Sequence, residues 1–117
     1  MTRRFTVIAA LVGAALALVT SATSAPTATA VTVTAGKPAE LRFTLSKKSV
    51  VKGKVTFKVT NKGVLEHDFK IAGKKTARLK PGKTATLTVT LKPGKAPFLC
   101  TVAGHAAGGM KGTLTVK

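Results

Sequence analysis

The chain has 117 residues, of which 20 are Lys or Arg and 3 are Asp or Glu, so its formal net charge is +17 at pH 7. This length is enough for one domain, and a field of this sign attracts anionic partners. However, the chain has five Phe, no Trp and no Tyr. Proteins that recognise nucleic-acid bases usually stack them on aromatic side chains and contact them through Arg, so we expect no specific nucleic-acid partner.

The N-terminal segment has the pattern of a secretory signal peptide. A short basic start containing Arg3-Arg4 precedes an apolar run over 5–19, and small polar residues follow. The run is shorter than the ~20 residues that a membrane-spanning helix needs. We therefore predict a signal peptide over residues 1–30, cleaved after Ala30 or after Ala25. The protein would then be exported to the periplasm or the extracellular space, and the arginine pair leaves the twin-arginine route open.

Residues 31–117 are expected to form one domain made of short β-strands. Apolar and polar residues alternate with a period of two, which is typical of strands with one buried face. Turn residues such as Gly, Pro and Asn separate these runs, and no stretch shows helical periodicity. The pattern therefore predicts an all-β fold, an antiparallel β-sandwich. In chain order, the expected extended segments are 31–34, 40–45, 55–60, 67–71, 77–79, 84–91, 97–102 and 111–116.

The cysteine content points to a metal. Cys100 is the only cysteine, so the chain cannot form an internal disulfide. A lone thiol in an oxidising compartment is a liability unless it is buried or used. A domain of this size has a modest core and gains stability from a bound metal. A metal site that uses Cys100 accounts for both features.

The chemistry-bearing residues of the last third follow a fixed spacing, Cys100-x4-His105-x4-Met110. His67, the other histidine of the chain, lies well upstream just after a turn. Two histidines and a cysteine in one plane, with a weak axial methionine, are the ligands of blue copper sites. Thiolate and thioether are soft ligands that favour Cu(I), and imidazole suits both oxidation states. The Gly and Ala residues between the ligands permit a tight loop.

Residues 54–117 resemble the cupredoxin family, the plastocyanin- and azurin-like blue copper proteins. The resemblance implies a Greek-key β-sandwich with one copper ion near one end and one-electron transfer as the activity. It also implies that His67, Cys100 and His105 are the equatorial ligands, that Met110 is the axial ligand, and that electrons pass through His105. The motifs that carry the resemblance are Asn61-x-Gly63…His67-x-Phe69 and Phe98-x-Cys100-x4-His105-x4-Met110-x-Gly112.

Two positions depart from the family pattern. Asp68 stands where the family often has Asn, and its carboxylate adds negative charge near the ion. Leu99 stands where an aromatic neighbour of the cysteine can serve as a remote electron route. We therefore carry over neither the family's reduction potential nor that electron route to this chain, and we expect Asp68 to act by local tuning or plain solvation.

Several other functions fit part of the pattern. A nucleophilic pair of Cys100 and His105 is one alternative, but it leaves Met110 and the second histidine without a role, so we expect no enzymatic activity. Zinc also binds Cys and His, although zinc sites rarely use Met. A module for copper storage or delivery would have nearly the same sequence. A basic β-sandwich that binds polyanions without a metal is the last alternative.

The charge suggests the kind of partner. We expect redox proteins with acidic docking surfaces, since opposite charges steer encounter between proteins. Contact with an anionic membrane or cell-wall surface is a further expectation from the charge. A strongly basic monomer is the expected state.

Overall fold

The computed structural model of the protein describes Gly13 and residues 27–117. These residues form nine β-strands and no helix, and so none of them belongs to a helix that could cross a membrane. The strands are β1 Thr29–Ala35, β2 Phe43–Leu45, β3 Ser49–Val50, β4 Gly53–Asn61, β5 Lys70–Ile71, β6 Lys74–Lys75, β7 Thr84–Leu91, β8 Gly94–Leu99 and β9 Lys111–Val116.

The strands form two sheets, which confirms the predicted all-β sandwich. The first sheet has the order β2-β1-β4-β7 and the second the order β3-β9-β8-β5-β6. The sheets are not antiparallel throughout, as the alternation had predicted them to be: both are mixed, because β1 pairs with β4 and β3 with β9 in parallel, while the other neighbours are antiparallel. Parallel neighbours require a crossover connection. Here the chain leaves the first sheet for β3 in the second before it returns as β4.

Period-two alternation decides which side chains enter the core. In β4, Val55, Phe57 and Val59 are fully buried, whereas Lys54 and Lys58, which alternate with them, are exposed. Successive side chains of a strand point to opposite faces of its sheet, so one face of β4 packs inward and the other meets water. The first sheet therefore contributes a continuous apolar surface to the core.

The centre of the sandwich is aromatic. The ring centroid of Phe69 lies 5.4 Å from that of Phe43, 5.2 Å from that of Phe57 and 5.5 Å from that of Phe98. The Phe43 ring meets the Phe69 ring edge-on, an arrangement favoured by the charge distribution of aromatic rings. Phe69 is completely buried and follows His67 by two residues. The rigid aromatic centre thus lies directly next to one predicted ligand.

Two expected strands are shorter in the structure and a third, predicted over 97–102, lies three residues earlier, and each change occurs where a side chain is used at the metal end. The segment 67–71 is a strand only at Lys70–Ile71, and His67 forms an isolated bridge with Leu79. The strand β8 ends at Leu99, so Cys100 follows it. Similarly, β2 begins only at Phe43, which leaves the loop before it free to approach the turn after β4.

The predicted signal peptide lies almost entirely outside the described residues and stays a prediction. The strand β1 begins at Thr29, and its first two residues, Thr29 and Ala30, are paired with Val55 and Thr56 of β4. Cleavage after Ala30 would remove these two residues from the sheet. Cleavage after Ala25 would leave β1 whole.

Candidate metal centre

Three of the four predicted ligands come together at one end of the sandwich. One ligand atom each of His67, Cys100 and His105 lies within 4.8 Å of the others. The two Nδ1 atoms are 3.1 Å apart. The Sγ atom of Cys100 is 3.6 Å from Nδ1 of His105 and 4.0 Å from Nδ1 of His67. Side chains separated by up to 38 residues thus direct one thiol sulfur and two imidazole nitrogens toward a single point.

These separations fit a single metal ion. Imidazole nitrogen and thiolate sulfur bind first-row metals such as zinc at roughly 2.0–2.3 Å. Three such ligands in a trigonal plane are therefore roughly 3.5–3.8 Å apart by geometry. The three observed distances, 3.1, 3.6 and 4.0 Å, lie around that value. The residues present can therefore hold the ion that the donor set implies.

The loop from Cys100 to Met110 is held by its own backbone. The N–H of Cys100 donates to the carbonyl of Met110 at 3.0 Å, and the N–H of Met110 donates to the carbonyl of His105 at 3.0 Å. Gly104 adopts a φ of 80°, which side chains disfavour. The loop therefore closes on itself and returns the chain to β9 with its ligands on one side.

Met110 lies beneath the site. It is completely buried and belongs to a small apolar cluster with Cys100 and Ala35. Leu41 and Phe43 pack against the same cluster. The structure therefore places the thioether side chain next to the thiol, as an axial ligand requires. Its role as a ligand stays a prediction.

Burial shifts the pKa values of two of the three groups, Cys100 and His105. Burial raises the pKa of the Cys100 thiol, although N–H groups of Asp68 and Val102 act in the opposite direction. The N–H of Asp68 lies 3.5 Å from Sγ. Burial is the main cause that lowers the pKa of His105, and it so favours the neutral form of this imidazole. Metals bind neutral imidazole and deprotonated thiol, so binding would release the proton that burial keeps on Cys100.

Asp68 links the two ligand-bearing segments. Its Oδ1 accepts the backbone N–H of Thr101 at 2.6 Å, and its Oδ2 accepts the Thr101 hydroxyl. Asp68 follows His67 and Thr101 follows Cys100, so the contact ties the segment of the first histidine to that of the cysteine. Asp68 is almost fully buried, and both carboxylate oxygens have partners. The predicted tuning of the reduction potential by Asp68 stays a prediction.

The sequence analysis missed two charged residues at this end. Glu40 approaches His67, with Oε1 2.8 Å from Nε2. Arg42 donates from Nη1 to the carbonyl of Gly108 in the ligand loop at 2.9 Å. The alternation over 40–45 assigned both to a strand. The scarcity of acids was the available signal for Glu40, because it is one of only 3 in the chain.

The fold and the site together define a class of protein. A His2Cys set with a methionine beside it, two of whose three members are buried here at one end of a β-sandwich, is a type 1 copper site. Residues 7–116 match the model of a family described as the cupredoxin-like domain. The chain belongs to the cupredoxin family, as its motifs predicted.

Solved structures share this fold. Auracyanin from Roseiflexus castenholzii is 24% identical over 78% of this chain and 98% of its own, with a TM-score of 0.62. Auracyanin A, a "blue" copper protein from Chloroflexus aurantiacus, is 20% identical over 78% of this chain and 100% of its own, with a TM-score of 0.63. Rusticyanin from Thiobacillus ferrooxidans is 25% identical over 75% of this chain and 76% of its own, with a TM-score of 0.60. The comparison with curated protein sequences found no match.

Proposed function

We propose that the protein is a one-electron carrier with a single type 1 copper ion and no enzymatic activity. In this proposal His67, Cys100 and His105 are the equatorial ligands and Met110 is the axial ligand. The observation that carries the proposal is the convergence of Nδ1 of His67, Sγ of Cys100 and Nδ1 of His105 within 4.8 Å of one another. The membership of the chain in the cupredoxin family and its similarity to copper proteins such as auracyanin A support this proposal.

The arrangement of the residues suits electron transfer. When bound, copper supplies a couple between Cu(I) and Cu(II), and a mixed soft and imidazole donor set accommodates both states. The ligand side chains are held by backbone hydrogen bonds of the loop and by Asp68, so they need to move little. His67 and Cys100 are buried, whereas His105 is partly exposed. We infer that electrons enter and leave through His105.

The surface near the site suggests how partners dock. Val64 is 80% exposed and Leu65 is 47% exposed. Both lie in the turn after β4, whose N–H groups donate to Glu40, the hydrogen-bond partner of His67. Ala103 and Ala107 are exposed in the ligand loop. Apolar side chains at this end, in a protein of charge +17, fit transient contact with acidic redox proteins. We propose that these encounters occur outside the cytoplasm and that the protein acts as a monomer.

A visible absorption spectrum tests the copper site. Addition of Cu(II) to the purified protein should produce an intense band from the bond between thiolate and copper, and ascorbate should bleach it. Cys100→Ser should abolish the band, because a hydroxyl is a far poorer ligand for copper than a thiolate. A Cys100→Ser protein that is still blue would contradict the ligand assignment. Copper binding without a band in the unmodified protein would favour copper storage or delivery.

Voltammetry tests the axial ligand and the carrier function. Met110→Leu should retain copper but shift the potential, since the axial ligand tunes it. An unchanged potential would count against Met110 as a ligand. Fast electron self-exchange in the unmodified protein is expected of a carrier, whereas slow exchange with ready transfer of copper to a chelator would indicate delivery.

A further inference from the structure

Glu40 contacts the outer edge of the His67 ring. Its Oε1 lies 2.8 Å from Nε2 of His67, on the opposite side of the ring from Nδ1. The His67 side chain is completely buried, and that of Glu40 is 30% exposed. Nδ1 of His67 faces Cys100 and His105. The ring is therefore held between a carboxylate on one side and the ligand cluster on the other.

The carboxylate is fixed by the backbone of the turn after β4. Its oxygens accept the N–H of Val64 at 3.0 Å and the N–H of Leu65 at 2.9 Å. These two N–H groups are the main reason why the pKa of Glu40 lies below its usual value. Hydrogen bonds to the charged form of a carboxyl stabilise that form. Glu40 thus reaches His67 as a carboxylate whose position the turn determines.

The turn is itself shaped to receive Glu40. Oδ1 of Asn61 accepts the N–H of Gly63 at 2.9 Å, and Nδ2 of Asn61 donates to the carbonyl of Leu65 at 2.7 Å. A Cβ atom at Gly63 would overlap with Oε1 of Glu40. A Cβ atom at Gly36, in the loop that carries Glu40, would lie 2.5 Å from the nitrogen of Gly63. The two loops therefore come too close for side chains, and Asn61-x-Gly63 makes room for the carboxylate.

We propose that Glu40 is a positioning residue for the copper site, which accepts the Nε2–H of His67 and so directs the lone pair of Nδ1 toward Cys100 and His105. The proposal rests on the proposed function for its copper-dependent part. Carboxylate partners of ligating histidines fix the tautomer and orientation of the ring and make it a stronger donor. In a chain with only 3 acidic residues, two carboxylates, those of Glu40 and Asp68, contact the ligand segments.

The position of the charge has a consequence for the redox equilibrium. A carboxylate bonded to a ligand stabilises the more positive oxidation state, so Glu40 should favour Cu(II) and lower the potential. Glu66, the residue before His67, offers a matched comparison because it is exposed. Exposed charges interact weakly through water and salt. Loss of the Glu66 charge should therefore change the potential much less than loss of the Glu40 charge.

The first test requires no copper. Nitrogen-15 spectra of the imidazole rings report the tautomer of His67 in the metal-free protein. We expect the unmodified protein and Glu40→Gln to hold His67 with the proton on Nε2, because the amide oxygen still accepts it. Glu40→Ala should give a mixture of tautomers, while Glu66→Ala should resemble the unmodified protein. A single, unchanged tautomer in Glu40→Ala would overturn the proposal.

The second test uses copper. Cu(II) affinity should fall about 10–100-fold in Glu40→Ala, the range usual for partners of ligating residues, and stay within about twofold in Glu66→Ala. Glu40→Gln should have a higher potential than Glu66→Gln. Equal potentials in Glu40→Gln and Glu66→Gln would overturn the proposed effect of the Glu40 charge on the potential. This comparison remains decisive even if Glu40→Ala fails to fold. A protein without a blue band would contradict the proposed function, whereas the tautomer measurement would still decide the role of Glu40.

Discussion

The centre of the sandwich and its metal end are equally buried but are stabilised in different ways. Phe57 and Val59 in the centre and Asn61 and His67 at the metal end are all completely buried. Apolar side chains form the large cluster in the centre. The buried polar side chains of the described chain all lie between residues 61 and 76. Each of their nitrogen and oxygen atoms that is fully buried has a hydrogen-bond partner.

This difference indicates which part of the molecule tolerates amino-acid substitution. Apolar burial is non-directional and roughly proportional to area, so many residue combinations can fill the centre. A buried polar group depends on particular partners, and leaving one unpaired costs the full desolvation of that group. We therefore expect substitutions in the centre to change global stability, and substitutions at the metal end to change metal binding as well.

The largest effect is expected from a cavity in the centre. Phe57→Ala should lower the free energy of unfolding by about 3–5 kcal/mol, which is usual for the loss of a buried Phe. Urea unfolding of the metal-free protein measures this loss, and Phe57→Leu should lose less. The added stability from copper should be unchanged, because it depends on affinity and ligand concentration alone. A large fall in copper affinity in Phe57→Ala would show that the two regions are not separable.

A smaller loss of stability, with a clear loss of affinity, is expected at the junction of the two regions. Asn61→Ala leaves the carbonyls of Leu65 and Leu79 without the donor that now lies 2.7 Å from each. We expect a loss of about 1–3 kcal/mol in the free energy of unfolding. Copper affinity should also fall, because the turn that holds Glu40 loosens. Calorimetric titration with copper measures this fall.

Thr60→Ala is the control for this substitution. Its hydroxyl contacts that of Thr84 at 3.0 Å on the outer face of the first sheet. Surface substitutions of this kind usually change stability by about 0.5 kcal/mol or less, and copper affinity should stay the same. An equal loss of affinity in the Thr60 and Asn61 variants would contradict the separate role of the turn.

Apart from the control at Thr60, the smallest change in stability is expected for Asp68→Asn. Asp68→Asn keeps an acceptor for the N–H of Thr101 and offers a donor to its hydroxyl, so stability should change by less than about 1 kcal/mol. The potential should rise, because a negative charge next to Cys100 is removed. Voltammetry measures this shift, and Asp68→Ala should in addition destabilise the link between the two segments. An unchanged potential in Asp68→Asn would contradict the predicted tuning.

Much of the site was predictable because its residues are rare in this chain. Cys100 is the only cysteine, and the chain has only two histidines and two methionines, so the set that could bind copper was small. Its spacing then indicated the family. Glu40 was not predictable in the same way, since it lies 27 residues from His67 and no motif connects them. Their contact depends on the close approach of Gly36 to Gly63, which only the folded chain shows.

The amino-acid sequence alone was enough to predict the local features of this protein, namely its longer period-two strands, the turns between them and the identity of the soft donors. These features follow from neighbouring residues, and alternation specifies which side of a strand is buried. The tertiary structure alone decided the parallel pairing of β1 with β4, the ends of the strands at the ligands, and the contact of Glu40 with His67. The physical reason is that these features depend on contacts between segments far apart in the chain, which packing and hydrogen bonding select together.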